Sequence, residues 1–377
     1  MFPAALSVLI ACLPLPATSA PTAPRPDDLR WFEGSLTEAL GVAREQERLV
    51  VLNFGADWSD WCKQHQAENL HDPEIVELLS EFLCLDFDLS MDDEGNIIDK
   101  QAEALMRRFA VRRFPSMLCL RPDGTPEDLI SGYLPVPALL MELERILAGD
   151  KTVSHYERLV GLEPAELEWR YQLALKLDDV GDAAGYQREL DAILAADPEG
   201  VSLPRRRMAL GQLREHLWGC MRDPEIEPDP AELARFLAQG RYDEVLCDGW
   251  LLMAAVQSEL GQAGAARDAY RTAWKHVASA QRASVGNGIA WKFWTERTEL
   301  SPEEKQWALA VAQESTSAFE QASCDPLALA QYYDTLACCR YMVGEREEAL
   351  RLIERCMELD PDTAEFKERY EFFDSRG

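Results

Sequence analysis

One short stretch constrains the fold of this 377-residue chain more than any other. Residues 49–52, Leu-Val-Val-Leu, form a continuous apolar run that is short and β-branched enough to predict a buried strand. The chain then turns through the small residues 55–57 and reaches residues 58–63, Trp-Ser-Asp-Trp-Cys-Lys, where Ser59 is suited to cap a helix. A buried strand, a tight turn and a helix start therefore lie directly after one another.

The segment from Trp58 to Lys63 resembles the active-site segment of the thioredoxin superfamily, which carries Trp-Cys-x-x-Cys-Lys after a strand. Ser59 stands at the position of the family's first cysteine, and Cys62 at that of the second. In the family, the first cysteine attacks a disulfide as a thiolate and the second resolves the mixed disulfide. A serine cannot form that intermediate. The family's buried, proton-relaying Asp corresponds to Asn53, so the resemblance implies the fold but not a complete dithiol cycle.

A second mark of the family is Arg-Phe-Pro-Ser at residues 113–116. The resemblance implies a cis bond before Pro115, which would face the active-site helix, and backbone pairing of the preceding residue with an extended peptide. It covers about residues 28–150 and implies an α/β thioredoxin fold, a central mixed β-sheet flanked by helices. Because residues 150–160 separate this strand-helix pattern from an all-helical one, we predict that the two halves fold independently. The accompanying predictions are a short edge strand at 31–32, helices at 35–48, 101–109 and 135–148, and strands at 82–88, 117–120 and 129–131.

From residue 164 onward, helical periodicity replaces the strand pattern. Three helix-turn-helix units can be aligned on Gly181, Gly261 and Gly344, with small or apolar residues at matching offsets. This pattern resembles the tetratricopeptide repeat, whose paired helices pack closely through small residues. The glycines lie further apart than a single repeat, so other helices must lie between the units. We therefore predict an irregular all-α tetratricopeptide-like solenoid over residues 154–377.

The beginning of the sequence predicts export to the periplasm or the medium. Residues 4–15 are largely apolar, too short to span a bilayer, and lead to small residues suited to cleavage. We predict a signal peptide at 1–20 and a Pro- and Ala-rich linker at 21–27. Residues 9–12, Leu-Ile-Ala-Cys, also resemble a lipoprotein box, so lipidation of Cys12 is an alternative and the only predicted route to a membrane.

The net charge of −29 excludes some classes of partner. Acidic residues outnumber basic ones in both halves of the chain, which argues against binding nucleic acid or an anionic membrane by charge. The ten cysteines include no Cys-x-x-Cys pair, and the sequence does not assign any disulfide. We expect other proteins or extended peptide segments as partners.

Several side chains near the motif have both a structural and a functional interpretation. Cys62 is expected at the third helical position, where it would be hidden from substrate. Trp58 and Trp61 either form an apolar platform or pack in the ordinary way. His65 lies one turn from Cys62 and could assist the thiol, although we expect it on the helix surface. With His71 it could also suggest a metal site, but the ligand number and spacing are poor. We predict no metal and no cofactor.

Two main functions are consistent with these residues. The leading hypothesis is a protein-binding module whose groove takes an extended segment by backbone pairing. The alternative is an atypical thiol–disulfide oxidoreductase or isomerase that uses Cys62, alone or with a cysteine of a partner. A third interpretation makes the thioredoxin-like domain structural and assigns all function to the repeats. The residues predicted to form the motif and the peptide-binding groove are Trp58, Ser59, Asp60, Trp61, Phe114 and Pro115.

Overall fold

The structure, a computed structural model, describes residues 29–375 except positions 224 and 324. The predicted signal peptide, the linker and Cys12 therefore lie outside the described residues. The chain divides into two compact units, of which the first ends at Glu199 and the second begins at Gly200. Among the helices of the described ranges, none is long and apolar enough to cross a membrane.

A mixed sheet organises the first unit, as the sequence predicted, and four strands form it in the described residues. The strand order is β2-β1-β3-β4. The first strand is parallel to the second and antiparallel to the third, and the last two form an antiparallel hairpin. The strands are β1 (Val50–Gly55), β2 (Leu83–Asp88), β3 (Ser116–Leu120) and β4 (Pro126–Ser131).

Eight α-helices accompany the sheet in the part of the first unit that the structure describes, from residue 29 onward. A π-helical turn at His65–Asn69 comes directly after the second of them. The helices are α1 (Leu36–Gln46), α2 (Asp60–Gln64), α3 (Pro73–Leu79), α4 (Lys100–Arg108), α5 (Val136–Leu147), α6 (Val153–Leu162), α7 (Leu167–Asp179) and α8 (Ala183–Ala196).

Alternate side chains of β1 enter two separate cores, because successive residues of a strand point to opposite faces of the sheet. Leu52 and Phe54 pack in a core that also receives side chains of α1, α4, α6 and α7. Val51 packs in the other core, with side chains of α3 and α5. Every residue from Val50 to Phe54 is buried, which explains why the strand reads as a continuous apolar run.

Local sequence signals account for most of the helix boundaries. Ser35 caps α1 in a capping box with Glu38, and Asp72 caps α3 with Pro73 at its first position. The predicted edge strand at residues 31–32 is wrong. Of the backbone groups of these two residues, the Phe32 N–H donates a hydrogen bond to the Cys84 carbonyl of β2 at 2.7 Å. A single hydrogen bond does not form a β-ladder, so this segment is not a strand.

Helices α6 to α8 belong to the first unit, although the sequence assigned them to the helical repeats. Asp128 of β4 is fully buried and forms ion pairs with Arg145 of α5 at 2.8 Å and Lys176 of α7 at 2.7 Å. Leu173 and Leu177 of α7 pack in the same core as the sheet. The predicted boundary near residue 150 therefore falls inside a compact unit.

The second unit is helical throughout its regular elements. The helices α11 and α12, α13 and α14, and α15 and α16 pack as successive pairs. Gly261 and Gly344 link the first and last of these pairs with positive φ angles of 69° and 90°, in the turns that the sequence predicted. The helices are α9 (Leu203–Arg222), α10 (Ala231–Leu237), α11 (Asp243–Glu259), α12 (Ala263–Lys275), α13 (Arg282–Thr295), α14 (Pro302–Ala322), α15 (Pro326–Met342), α16 (Arg346–Leu359) and α17 (Ala364–Ser375).

Candidate functional site

Ser59 caps the helix that comes after β1, as predicted. Its Oγ accepts a hydrogen bond from the Cys62 N–H at 3.3 Å, so the hydroxyl satisfies one of the free donors of the helix start. Cys62 is the third residue of α2 and only 7% exposed. Lys63 forms an ion pair with Asp60, with its Nζ 3.2 Å from the Asp60 carboxylate. The surface of the motif therefore carries a serine hydroxyl and no sulfur.

Two exposed tryptophans flank the motif and form the walls of a groove. Trp58 and Trp61 are 49% and 59% exposed. Trp58 meets Phe114 edge-on at 5.8 Å and donates its indole N–H to the Leu89 carbonyl at 3.2 Å. Trp61 stacks on Tyr133 at 5.5 Å. The rings are thus held in place while leaving apolar surface open to solvent.

The groove has a volume of about 530 Å³. It brings together four of the six residues predicted to form the peptide site. Asp60 does not line it, because its side chain points to solvent and is 97% exposed. Pro115 does not line the groove either, and it lines a second cleft on the other side of the motif. The lining residues of the groove are Trp58, Ser59, Trp61, Arg112, Arg113, Phe114, Gly132 and Tyr133.

The Phe114–Pro115 peptide bond is cis, which confirms that feature of the resemblance. The Pro115 carbonyl accepts a hydrogen bond from the Gly132 N–H at 2.8 Å, which anchors the loop to the end of β4. Within the described ranges, the backbone N–H and C=O of Phe114 have no hydrogen-bond partner. Because exposed unpaired backbone groups favour pairing with another strand, this loop is suited to an extended segment.

A second cleft, of about 560 Å³, reaches Cys62 from the other side of the motif. Asn53 of β1 and Asp86 of β2 line it together, and the Asn53 Nδ2 donates to the Asp86 Oδ1 at 2.7 Å. Burial raises the pKa of the Asp86 carboxyl. The hydrogen bond from Asn53 lowers this pKa, but its effect is smaller than that of burial. Asp86 could not be recognised as a site residue from the sequence, because only the parallel register of β1 and β2 places it beside Asn53.

The prediction that His65 lies on the helix surface is wrong. Its side chain is only 4% exposed, and its Nδ1 is 2.9 Å from the Asn69 Nδ2. The reason is that His65 lies three residues after the buried Cys62, so both side chains lie on the face of the helix that points into the protein. Burial lowers the pKa of His65 to about 4, so the ring is neutral at physiological pH.

Two further cysteines and a second histidine of the first unit do not form another reactive site. Cys84 and Cys119 are buried on core strands, and burial raises the pKa of both thiols, that of Cys84 to about 12. His71 is exposed, with its Nδ1 2.6 Å from the Gln66 carbonyl oxygen. In the described part of the chain, no three His, Cys, Asp or Glu side chains are grouped so that they could hold a metal ion.

Comparison with protein families and curated proteins identifies the domain that carries this site. Residues 36–147 match a family described as a thioredoxin-like domain. The thiol:disulfide interchange protein DsbD of Pseudomonas fluorescens is 32% identical over 90 residues, which cover 24% of this chain and 14% of that protein. DsbD of Vibrio vulnificus is 25% identical over 113 residues, 29% of this chain and 18% of that protein. The chain thus spans only a small part of the length of these relatives.

Two solved structures are also similar to this chain over about a third of its length. A thioredoxin from Thermus thermophilus is 24% identical, with a TM-score of 0.27, over 31% of this chain and 86% of its own. A DsbH oxidoreductase is 19% identical, with a TM-score of 0.29, over 34% of this chain and 92% of its own. The family match establishes a thioredoxin-like domain in this chain. The tetratricopeptide-like identity of the helical region stays a prediction.

Proposed function

We propose that this chain binds extended segments of other proteins in the groove beside Ser59 and Phe114 and does not cycle a dithiol. The observation that carries the proposal is the exposure of Trp58 and Trp61 next to the unpaired backbone of Phe114. Exposed aromatic surface held in a fixed position is typical of recognition sites, since such rings contribute contact area at a low cost in entropy. Pairing with the free backbone of Phe114 would add hydrogen bonds that do not depend on the partner's sequence.

The state of Ser59 and Cys62 supports binding over exchange. Disulfide exchange needs an accessible thiolate and, for turnover, a second thiol that resolves the mixed disulfide. The Ser59 hydroxyl caps the helix, and Cys62 is only 7% exposed and does not line the groove. The helical hairpins of the second unit are part of this proposal as a second protein-binding element, as paired helices are in repeat proteins.

The proposal is tested with an array of cysteine-free synthetic peptides probed with the full chain. Replacing Trp58 and Trp61 together by Ala is expected to weaken binding at least about tenfold, because buried aromatic anchors dominate such interfaces. The matched control is Trp218→Ala in the second unit, a tryptophan that is 42% exposed and lies outside the groove. Equal binding by the groove variant and the control variant would refute the proposal.

A thiol–disulfide oxidoreductase that uses Cys62 is the second candidate. It is favoured by the cleft that reaches Cys62 beside His65 and Asp86, and by the likeness to thiol:disulfide interchange proteins. In this reaction, Cys62 loses its proton, attacks a disulfide, forms a mixed disulfide and releases one thiolate, and a thiol of the partner must then resolve the product.

Reduction of insulin disulfides by the purified chain separates the two candidates. We expect negligible turnover, unchanged in Cys62→Ala. The Ser59→Cys variant is expected to form a dithiol with measurable activity, which also shows that the assay can detect exchange at this site. Robust wild-type turnover that disappears in Cys62→Ala would establish the second candidate and displace the first.

A further inference from the structure

The charge of the groove is opposite to that of the chain. The chain carries a net charge of −29, with 67 acidic and 38 basic side chains. Among the described residues, the charged side chains that line the groove are nevertheless two adjacent arginines, Arg112 and Arg113, and no carboxylate belongs to the lining. Both arginines are exposed, and they directly precede the Phe114–Pro115 bond.

These two guanidinium groups are not engaged elsewhere. In the ranges that the structure describes, Arg112 and Arg113 have no ion pair and no aromatic ring beneath them. Two arginines a short distance upstream differ in this respect. Arg107 pairs with Glu103 at 2.6 Å, and Arg108 lies over the Phe109 ring at 4.9 Å. In an acid-rich chain, a pair of free arginines at the edge of an aromatic groove is available to an external anion.

One carboxylate next to the aromatic walls belongs to Glu68. Glu68 accepts a hydrogen bond from the Tyr133 hydroxyl and does not line the groove. This contact raises the pKa of Tyr133 to about 12, so the phenol stays neutral and adds no negative charge to the groove. The positive charge of Arg112 and Arg113 therefore acts on the groove without a neutralising group among its walls.

We propose that the occupant of the groove is an acidic extended segment, with Asp or Glu alternating with apolar residues. This inference rests on the proposed function and names the chemistry of its partner. A segment paired with the backbone at Phe114 presents alternate side chains to opposite sides. One row then meets Trp58 and Trp61, and the other row reaches the arginines. Arginine is suited to this role because its planar guanidinium binds a carboxylate through two parallel hydrogen bonds.

The test uses three synthetic peptides that share the same alternating apolar residues and carry Glu, Gln or Lys at the positions between them. Binding to the full chain is measured by fluorescence anisotropy at low and at high salt. The Glu peptide is expected to bind about tenfold more tightly than the Gln peptide at low salt, and added salt should reduce this difference. In the double variant Arg112→Glu, Arg113→Glu, the preference should invert in favour of the Lys peptide.

The matched control is the double variant Arg44→Glu, Arg158→Glu, which changes the net charge by the same amount at exposed positions outside the groove. It should keep the preference for the Glu peptide. Circular dichroism verifies folding, and the single changes Arg112→Gln and Arg113→Gln replace the double variant if it does not fold. If the Glu and Gln peptides bind equally well, and the Trp58→Ala, Trp61→Ala variant binds neither, this inference is overturned and the proposed function stands. Binding of none of the three peptides would overturn both.

Discussion

Removing the carboxylate of Asp128 tests whether helix α7 is part of the thioredoxin-like unit. The Asp128 side chain is 0% exposed, and it lies between Arg145 and Lys176, whose side chains are 18% and 20% exposed. Asp128→Ala leaves the largely buried Lys176 without its ion-pair partner, and Arg145 keeps only its pair with the part-exposed Glu142 at 2.8 Å. Removing one partner of a buried ion pair typically costs about 3–5 kcal/mol. That is a large part of the roughly 5–15 kcal/mol by which a domain is stable.

The expected consequence is a large loss of stability that is confined to the first unit. At about 2–4 °C per kcal/mol for a unit of this size, the melting temperature should fall by roughly 6–20 °C. Hydrogen exchange in the full chain measures the opening of β1 and α7 separately from that of the second unit. The control is Asp60→Ala, which removes an exposed carboxylate paired with Lys63 and should change the free energy of unfolding by less than about 1 kcal/mol.

A double-mutant cycle then addresses the contact between β4 and α7. Lys176→Met alone keeps the pair between Asp128 and Arg145, so it should cost less than Asp128→Ala. If the two residues interact as the structure shows, their coupling energy should lie at about 0.5–3 kcal/mol. A coupling energy of zero, or an unchanged exchange of β1 in Asp128→Ala, would refute the placement of α7 on the sheet.

Three further predictions concern the first unit. Gly181→Ala should cost at least about 2 kcal/mol, because φ is +80° and the new Cβ would lie 2.5 Å from the Phe109 carbonyl oxygen; Gly149→Ala, with positive φ but open space, should cost less in the same urea titration. The folded pKa of His65, about 4, lies below the ordinary 6.5, so the unfolded state binds the proton first as pH falls. Between pH 6.5 and 4, the free energy of unfolding of the wild type should fall by about 3 kcal/mol more than that of His65→Gln. Parallel profiles of stability against pH for the two proteins would contradict this. A fragment of residues 29–199 should melt cooperatively. The shorter fragment 29–150, which the sequence alone predicts to fold, should expose core surface and bind a hydrophobic dye. Equal melting temperatures of the two fragments would argue against the assignment of α6 to α8 to the first unit.

Local patterns in the sequence were sufficient for most elements of the fold. The apolar run of β1, the caps Ser35, Ser59 and Asp72, and the turn glycines all depend on residues close in sequence, so they can be recognised without the tertiary structure. The same holds for the burial of Cys62, because its place at the third helical position is set by the cap at Ser59. The resemblance supplied features that local patterns do not contain, such as the cis bond at Pro115.

Contacts between distant segments of the chain bring the residues of the site together. Asp86 contacts Asn53 only through the register of two strands, and His65 is buried against Asn69 because the helix face it shares with Cys62 packs into the protein. Arg112 and Arg113 become a charged edge only when their loop is folded beside the α2 segment. Likewise, α6 to α8 have an ordinary helical pattern, and their place on the sheet depends on buried partners such as Asp128 and Lys176. A periodic pattern determines which face of an element is apolar, whereas long-range packing decides which surface covers it.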